Sequence, residues 1–307
     1  MTGTGKTVYL LGAGASAASD FRLPVMSGFF RDEDQDLLGA ERFLRILYPR
    51  IKLEEINLEE VLTFLDLATE GFGAKWAHYA GFDPYMEREA RNAVDYYIHQ
   101  RLKIPSGAVC SNHLRLVKSL KKSDTILSLN YDLVADNAIW EVSPKTQHGE
   151  LAHDSFLGRS HDLLQEMRTW GGTWPTVRPA SEGLGLFLKL HGSLSWVCCQ
   201  TDGCPYRHQF FPSSPYFEKK NLNLRGPCAN CGNPLATVII PPVIGKSVQR
   251  FPKMGFIWNL AHRELIEADV VVVIGCSLPA SDYVFRWLLR TRRLPAFQAT
   301  ASCEFLR

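Results

Sequence analysis

The residues 12–16, with the sequence Gly-Ala-Gly-Ala-Ser, come directly after the apolar segment Val8–Leu11. A strand that ends in glycine and leads into a helix brings its backbone close to a phosphate. The first N–H groups of such a helix also favour negative charge. The segment therefore predicts a nucleotide site, and the alternative is an ordinary tight turn of an α/β protein.

Three further groups of polar or small residues stand directly after apolar segments. Amide and imidazole side chains in such places can orient water, hold a hydroxyl or accept a proton. Ligands of open parallel sheets bind outside the carboxyl ends of the strands, so we expect these groups to meet at one edge. They are Asn130 and Asp132 after 125–129, His191 after 186–190, and Gly275 and Ser277 after 270–274.

Each of these side chains also has a purely structural alternative. Asparagine at a strand end is common in turns, and Asp132 is placed to cap a helix that begins at Leu133. His191 before Gly192 is equally compatible with a histidine buried under a loop. Asp282 is expected mainly to cap the last helix.

The elements that must position these residues are short apolar strands alternating with helix-like segments. This alternation predicts an α/β fold with a doubly wound, mostly parallel, Rossmann-like sheet. A helix is expected over 256–267, before the last strand. The predicted strands are 8–11, 125–129, 186–190, 237–240 and 270–274.

The chain of 307 residues suffices for one large domain with insertions, and its net charge of +2 is spread over mixed charges. This balance gives no signal for a nucleic-acid surface. No apolar segment approaches the roughly 18 residues of a membrane span. The short polar N-terminus is not typical of a signal peptide. We therefore expect a cytoplasmic protein.

Two cysteine pairs separated by 23 residues predict a structural zinc site with four thiolate ligands. Cys198 is an alternative to Cys199, and His208 is a less favoured substitute for one ligand. Free thiols or disulfides are the other interpretations, and zinc is favoured in a chain without an export signal. The pairs are Cys199 with Cys204 and Cys228 with Cys231.

We expect a single catalytic domain over 1–307 with two insertions. Residues 40–123 hold no convincing strand, and Leu58, Val61, Leu62 and Leu65 recur at helical spacing, which predicts a helical insertion. Residues 195–236 form a zinc-ribbon-like insertion.

Taken in order, these motifs resemble the sirtuin family. They are most similar to the sirtuin-like domains of prokaryotic anti-phage defence systems that hydrolyse nicotinamide adenine dinucleotide (NAD⁺). The resemblance covers nearly the whole chain. It rests on the segment 12–16, Asn130-Tyr131-Asp132, His191-Gly192, the two cysteine pairs, and the segment 275–279.

The resemblance implies a sirtuin fold with NAD⁺ as substrate and structural Zn²⁺. His191 would stand at the ribose hydroxyls, and Asn130 and Asp132 would lie by the nicotinamide and its ribose. The remaining positions would bind the cofactor: Gly12, Ala13, Gly14 and Ser16 at the pyrophosphate, and Gly275 and Ser277 at the adenosine half.

Two features depart from the deacylating sirtuins. Where those enzymes add a peptide as a strand, this chain has Pro241-Pro242, and proline has no N–H to donate to a ladder. After the last helix, residues 294–307 show no clear apolar strand, where the family has a strand beside the adenosine pocket.

The resulting hypothesis is an NAD⁺ glycohydrolase that releases nicotinamide and ADP-ribose, or cyclic ADP-ribose, in anti-phage defence. The alternatives are an NAD-dependent protein deacylase and a non-catalytic module that senses NAD or a nucleotide. The resemblance also implies a homo-oligomer or a complex with a separate defence protein.

Overall fold

The computed structural model describes residues 5–34, 38–70, 84–121, 123–142, 186–207, 210–212, 226–241, 252–278 and 282–290. The strands are β1 (Thr7–Leu11), β2 (Thr125–Ser128), β3 (Leu186–Lys189), β4 (Gly192–Cys198), β5 (Phe210–Pro212), β6 (Ala236–Ile239) and β7 (Val270–Ile274). The helices are α1 (Ala13–Ala17), α2 (Leu38–Leu47), α3 (Leu58–Glu70), α4 (Pro84–Arg101), α5 (Ser111–Ser119), α6 (Val134–Val142), α7 (Pro252–Glu267) and α8 (Tyr283–Arg290), with a 3₁₀ turn at Leu53–Glu55.

The central sheet has the strand order β3-β2-β1-β7, and its strands are parallel throughout. This confirms the predicted parallel sheet with helices. The register aligns Leu11 with Ser128 and with Ile274, and Ser128 with Lys189. The four strands therefore end side by side at one edge.

Helices cover both faces of this sheet. Alternate residues of each strand point to opposite faces, so neighbouring residues of one strand pack against different helices. Val8 and Leu10 pack with α7 and α8, in a cluster that includes Ile257 and Phe285. On the other face, Leu11 belongs to a cluster with residues of α1, α5 and α6. This arrangement is the doubly wound architecture that the alternation of strands and helices predicts.

Strand β7 is less enclosed than the sequence suggests. Its five residues are all aliphatic, yet Val270 is 51% exposed and the other four are partly buried. The strand lies last in the sheet order, next to β1. A short apolar segment looks the same in a central strand and in an edge strand, so the sequence could not distinguish them.

Between β1 and β2, the described residues form helices and turns. Leu58, Val61, Leu62 and Leu65 of α3 are fully buried, as their helical spacing predicts. Together with α2 and α4 they form a third apolar cluster. No helix in the described ranges is long and apolar enough to span a bilayer.

A second, antiparallel sheet has the order β5-β4-β6. The predicted strand 237–240 lies here, in β6, and not in the parallel sheet. It pairs with β4, which follows β3 after a turn at Leu190 and His191. Periodicity marks a short buried strand but not its partner or direction, which explains the difference.

Candidate functional site

The backbones at the ends of β1 and β7 approach each other closely. The Gly12 N–H donates to the Ile274 carbonyl at 3.0 Å, and the Gly14 N–H donates to the Gly275 carbonyl at 2.7 Å. A Cβ at Gly12 would lie 2.6 Å from Gly275 O, and Gly275 has φ +61°. These glycines are therefore required for packing between two strand ends, whatever ligand the turn binds.

Asn130 joins the end of β2 to the same turn. Its Nδ2 donates to the Gly12 carbonyl at 2.9 Å and to Ser16 Oγ at 3.0 Å. Its Oδ1 has no hydrogen-bond partner among the described residues. The structure thus brings together residues from two separate motifs, with one amide oxygen of Asn130 left as an acceptor.

The other predicted cofactor residues of the two glycine-containing turns are not fully buried. Ala13 is the first residue of α1 and is partly buried. Ser277 is exposed two residues after Gly275. Leu278, which follows, has φ +50°, an uncommon value for a residue other than glycine.

Asp132 is buried and acts as the predicted helix cap. Its Oδ1 accepts the Val134 N–H at 3.0 Å, at the start of α6. The second carboxylate oxygen has no hydrogen-bond partner among the described residues. One carboxylate oxygen of Asp132 therefore caps the helix, while the other can still accept a hydrogen bond.

Lys189 of β3, which the sequence analysis missed, forms hydrogen bonds to the segment that carries Asp132. Its side chain is 1% exposed, and Nζ donates to the Asp132 carbonyl at 2.5 Å and to Asp136 Oδ2 at 2.8 Å. Burial raises the pKa of Asp136, while Lys189 opposes that rise. A lysine inside an apolar strand was the available signal.

His191 is buried at the end of β3, with both ring nitrogens engaged. Nδ1 lies 3.1 Å from the Ile240 carbonyl, and Nε2 lies 3.0 Å from Asp282 Oδ2. Tyr131 and Trp258 lie beside the ring, with centroids 6.4 and 6.2 Å away. Asp282 was expected mainly as a helix cap, and its contact with His191 was missed because 90 residues lie between them.

The backbone of Ile239 and Ile240 is held from three directions. The Ile239 carbonyl accepts from Arg91 Nη2 at 3.2 Å, and the Ile240 carbonyl accepts from the Tyr131 hydroxyl at 3.1 Å. The Ile240 N–H donates to the His191 carbonyl at 2.9 Å. This segment is therefore bonded to α4, to the turn after β2 and to the end of β3.

The four predicted zinc ligands form a second, separate cluster. Zinc bound to four thiolates at about 2.3 Å places neighbouring sulfurs about 3.8 Å apart. The Cys199–Cys231 and Cys204–Cys228 sulfur distances are 3.7 and 3.8 Å, and the four Sγ atoms lie within 4.8 Å of one another. The donor set therefore fits a tetrahedral metal ion.

Cys198 and Cys199 point in opposite directions, which decides between them as ligands. Cys199 contributes to the cysteine cluster, whereas Cys198 is fully buried in the apolar core beside α7. Hydrogen bonds from the Asn233 N–H and the Thr201 hydroxyl lower the pKa of the Cys231 thiol to about 6. Such a thiol is readily deprotonated to the thiolate that binds metal. His208 lies outside the described residues.

Comparisons with known proteins give a limited result. No protein-family profile and no curated protein matches the chain. A solved structure of a Sir2 homologue with three substitutions, in complex with 2'-O-acetyl ADP ribose, is 18% identical. The match covers 93% of this chain and 76% of that one, with a TM-score of 0.38. A TM-score this low supports no argument about function, so any functional proposal must rest on the geometry of the chain itself.

Proposed function

We propose that the protein is a sirtuin-like NAD⁺ glycohydrolase, which cleaves the bond between nicotinamide and ribose. The observation that carries this proposal is the joining of Asn130 to Gly12 and Ser16. That contact unites a strand-end amide with a glycine turn suited to a phosphate. Asn130 Oδ1 and one oxygen of Asp132 remain as acceptors at the same edge of the sheet.

The proposed roles follow from what each group can do. Cleavage develops positive charge on the ribose, which the Asp132 carboxylate stabilises if its second oxygen faces the sugar. If that oxygen faces the nicotinamide, Asp132 would instead hold the nicotinamide amide. Asn130 Oδ1 orients a water or a ribose hydroxyl. Attack by water yields nicotinamide, ADP-ribose and one proton, for which His191 is the candidate acceptor. Attack from within the substrate would give cyclic ADP-ribose instead.

A protein deacylase is the weaker enzymatic alternative. Strand addition of a peptide along β6 needs open backbone groups. The Ile239 carbonyl already accepts from Arg91, and Pro241 has no N–H to offer. Pro242 lies outside the described residues.

A non-catalytic NAD-sensing module is favoured by a different observation. Both His191 nitrogens are engaged within the protein, so neither is open to accept a proton. This form of the site could bind a nucleotide without turning it over. Binding of NAD⁺ with no release of nicotinamide would support this alternative.

The decisive experiment measures nicotinamide release from NAD⁺ by chromatography, with no peptide substrate present. Wild type is expected to release nicotinamide, whereas Asn130→Ala and His191→Ala are expected to lose the activity by about a hundredfold or more. Asn112→Ala, at a partly buried position on α5, is the matched control and should retain it. Melting temperature and zinc content show whether each variant is folded. A folded Asn130→Ala protein with the wild-type rate would refute the assigned role.

We further propose that the activity depletes cytoplasmic NAD⁺ in anti-phage defence, as the sequence resemblance implies. The protein would act as a homo-oligomer or with a separate defence protein. Light scattering tests assembly, and NAD⁺ levels in infected cells that carry wild type or Asn130→Ala test the role. Equal NAD⁺ levels in both would contradict depletion.

A further inference from the structure

Helix α8 has one face in the core and another face open to solvent. Phe285 and Leu288 are buried in an apolar cluster that they share with α7. Tyr283 and Trp287, one turn apart, are 58% and 50% exposed. No other aromatic side chain among the described residues is as exposed. Large aromatic side chains left in water are typical of interaction surfaces.

Two arginines complete the exposed face of α8. Positions 283, 286, 287 and 290 have the spacing i, i+3, i+4, i+7, which places them on one side of a helix. Arg286 is partly buried and Arg290 is exposed, and neither has an ion-pair partner among the described residues. The helix itself contains no acidic residue. We call Tyr283, Arg286, Trp287 and Arg290 the α8 stripe.

Helix α7 extends this surface beyond a single helix. The rings of His262 and Trp287 lie side by side, with centroids 5.4 Å apart. Ile266, one turn after His262 on the same side of α7, is 48% exposed. The exposed apolar surface therefore spans two helices. This matters because a specific interface buries roughly 800 Å² on each partner.

The order of residues in the α8 stripe is self-complementary. Two antiparallel copies of α8 can meet about a two-fold axis between positions 286 and 287. Arg286 of one copy then faces Trp287 of the other, and Tyr283 faces Arg290. A guanidinium over an aromatic ring is an attractive cation–π contact. Two-fold symmetry forms each of these contacts twice, since both copies use the same surface.

We propose that the α8 stripe is the interface through which two copies of this chain form a two-fold symmetric dimer. Trp, Tyr and Arg are the residue types enriched among those that dominate the binding energy of protein interfaces. A nucleic acid is a weaker occupant, because the stripe has only two arginines and the chain has a net charge of +2. The inference goes beyond the proposed function, since this dimer does not require that NAD⁺ is cleaved.

The test measures the mass of the zinc-loaded chain by light scattering and the dimer Kd by sedimentation over a range of concentrations. Trp287→Arg places two arginines opposite each other, and Tyr283→Arg does the same against Arg290. Each should raise the Kd by at least about thirtyfold. Melting temperatures show whether the variants fold. Ile46→Arg, at a 47% exposed position on α2, is the matched control and should dimerise like wild type.

Mixing two variants tests the antiparallel register itself. Arg286→Glu places a carboxylate against the aromatic ring of Trp287 and should weaken the dimer when this variant is alone. In a mixture of Arg286→Glu and Trp287→Arg chains, the introduced glutamate faces the introduced arginine, and the native contact of Arg286 with Trp287 also forms. Dimers in the mixture, at concentrations where each variant alone is monomeric, are the expected result.

Three results would overturn the proposal. A wild-type chain that is monomeric at every concentration would leave the α8 stripe to a different protein. A dimer that folded Trp287→Arg and Tyr283→Arg variants leave intact would place the interface elsewhere. A mixture no more dimeric than its components would refute the register. Nicotinamide release is measured on the same samples, so loss of the proposed function and loss of the dimer are scored separately.

Discussion

Lys189 shows how a single residue can hold several parts of the site. Its ammonium donates to the carbonyl of Asp132 and to the side chain of Asp136, and it is almost fully buried. A buried charge is costly unless it is paired, so each partner depends on the other. The turn that carries Asn130 and Asp132 therefore depends on an ion pair that is almost completely buried.

The change Lys189→Met should lower the free energy of unfolding by about 3 to 5 kcal/mol, because Asp136 is left buried and unpaired. Chemical denaturation measures the loss. The double variant Lys189→Met/Asp136→Leu removes both charges and should regain part of the stability. If the single variant is as stable as wild type, the ion pair does not support the turn.

The buried His113 of α5 should make the free energy of unfolding depend on pH. Burial lowers its pKa, against the opposing effects of Asp132 and Asp20. The unfolded histidine therefore binds a proton at a higher pH than the folded one, and folding loses free energy as the pH falls below about 6.5. Above that pH, His113 is neutral in both states and has no such effect.

Thermal unfolding between pH 7.5 and 5.5 tests this linkage. Wild type should lose more stability on acidification than His113→Gln does. His262→Gln, at a partly buried position on α7, is the control and should follow wild type. Parallel pH profiles for wild type and His113→Gln would contradict the prediction.

At the scale of elements, the junction of β1 with β7 depends on two strand ends that almost touch. A side chain at Gly275 would overlap the backbone of Gly14 and Ala15, and Gly275 also has a positive φ. Glycine is thus required there for two reasons that can be measured separately.

Gly275→Ala should be far more destabilising than Gly28→Ala. Gly28 has φ +65° with no atom within 4 Å of an added Cβ, so alanine there costs only the left-handed conformation, about 1 to 2 kcal/mol. Melting temperatures of the two variants isolate the effect of the overlap. Equal losses would show that the two strand ends separate easily.

At the scale of the whole molecule, we expect zinc at the cysteine cluster to stabilise the small sheet whose strand β6 precedes Ile240. Purified protein should contain one zinc per chain, and Cys228→Ser should lose it together with part of the thermal stability. Cys198→Ala should retain zinc, because Cys198 belongs to the apolar core. Elemental analysis measures the content, and full zinc in Cys228→Ser would refute the assigned ligand set.

The sequence predicted the parallel strands, the helical spacing in α3 and the four clustered cysteines, because each is marked by local periodicity or by close pairs. It did not predict that β6 belongs to the antiparallel sheet or that β7, last in the order of the described strands, is only partly buried. The Asp282–His191 contact also has no local pattern. Pairings between distant segments are set by packing, which a single sequence does not encode in its spacing.

The hydrogen bond from Gly14 to Gly275 also bears on the rate of ligand binding. Because the Gly14 N–H is already bonded within the protein, a phosphate that used it would first have to displace the Gly275 carbonyl. Association would then include a conformational step, and the observed rate constant would level off at high ligand concentration.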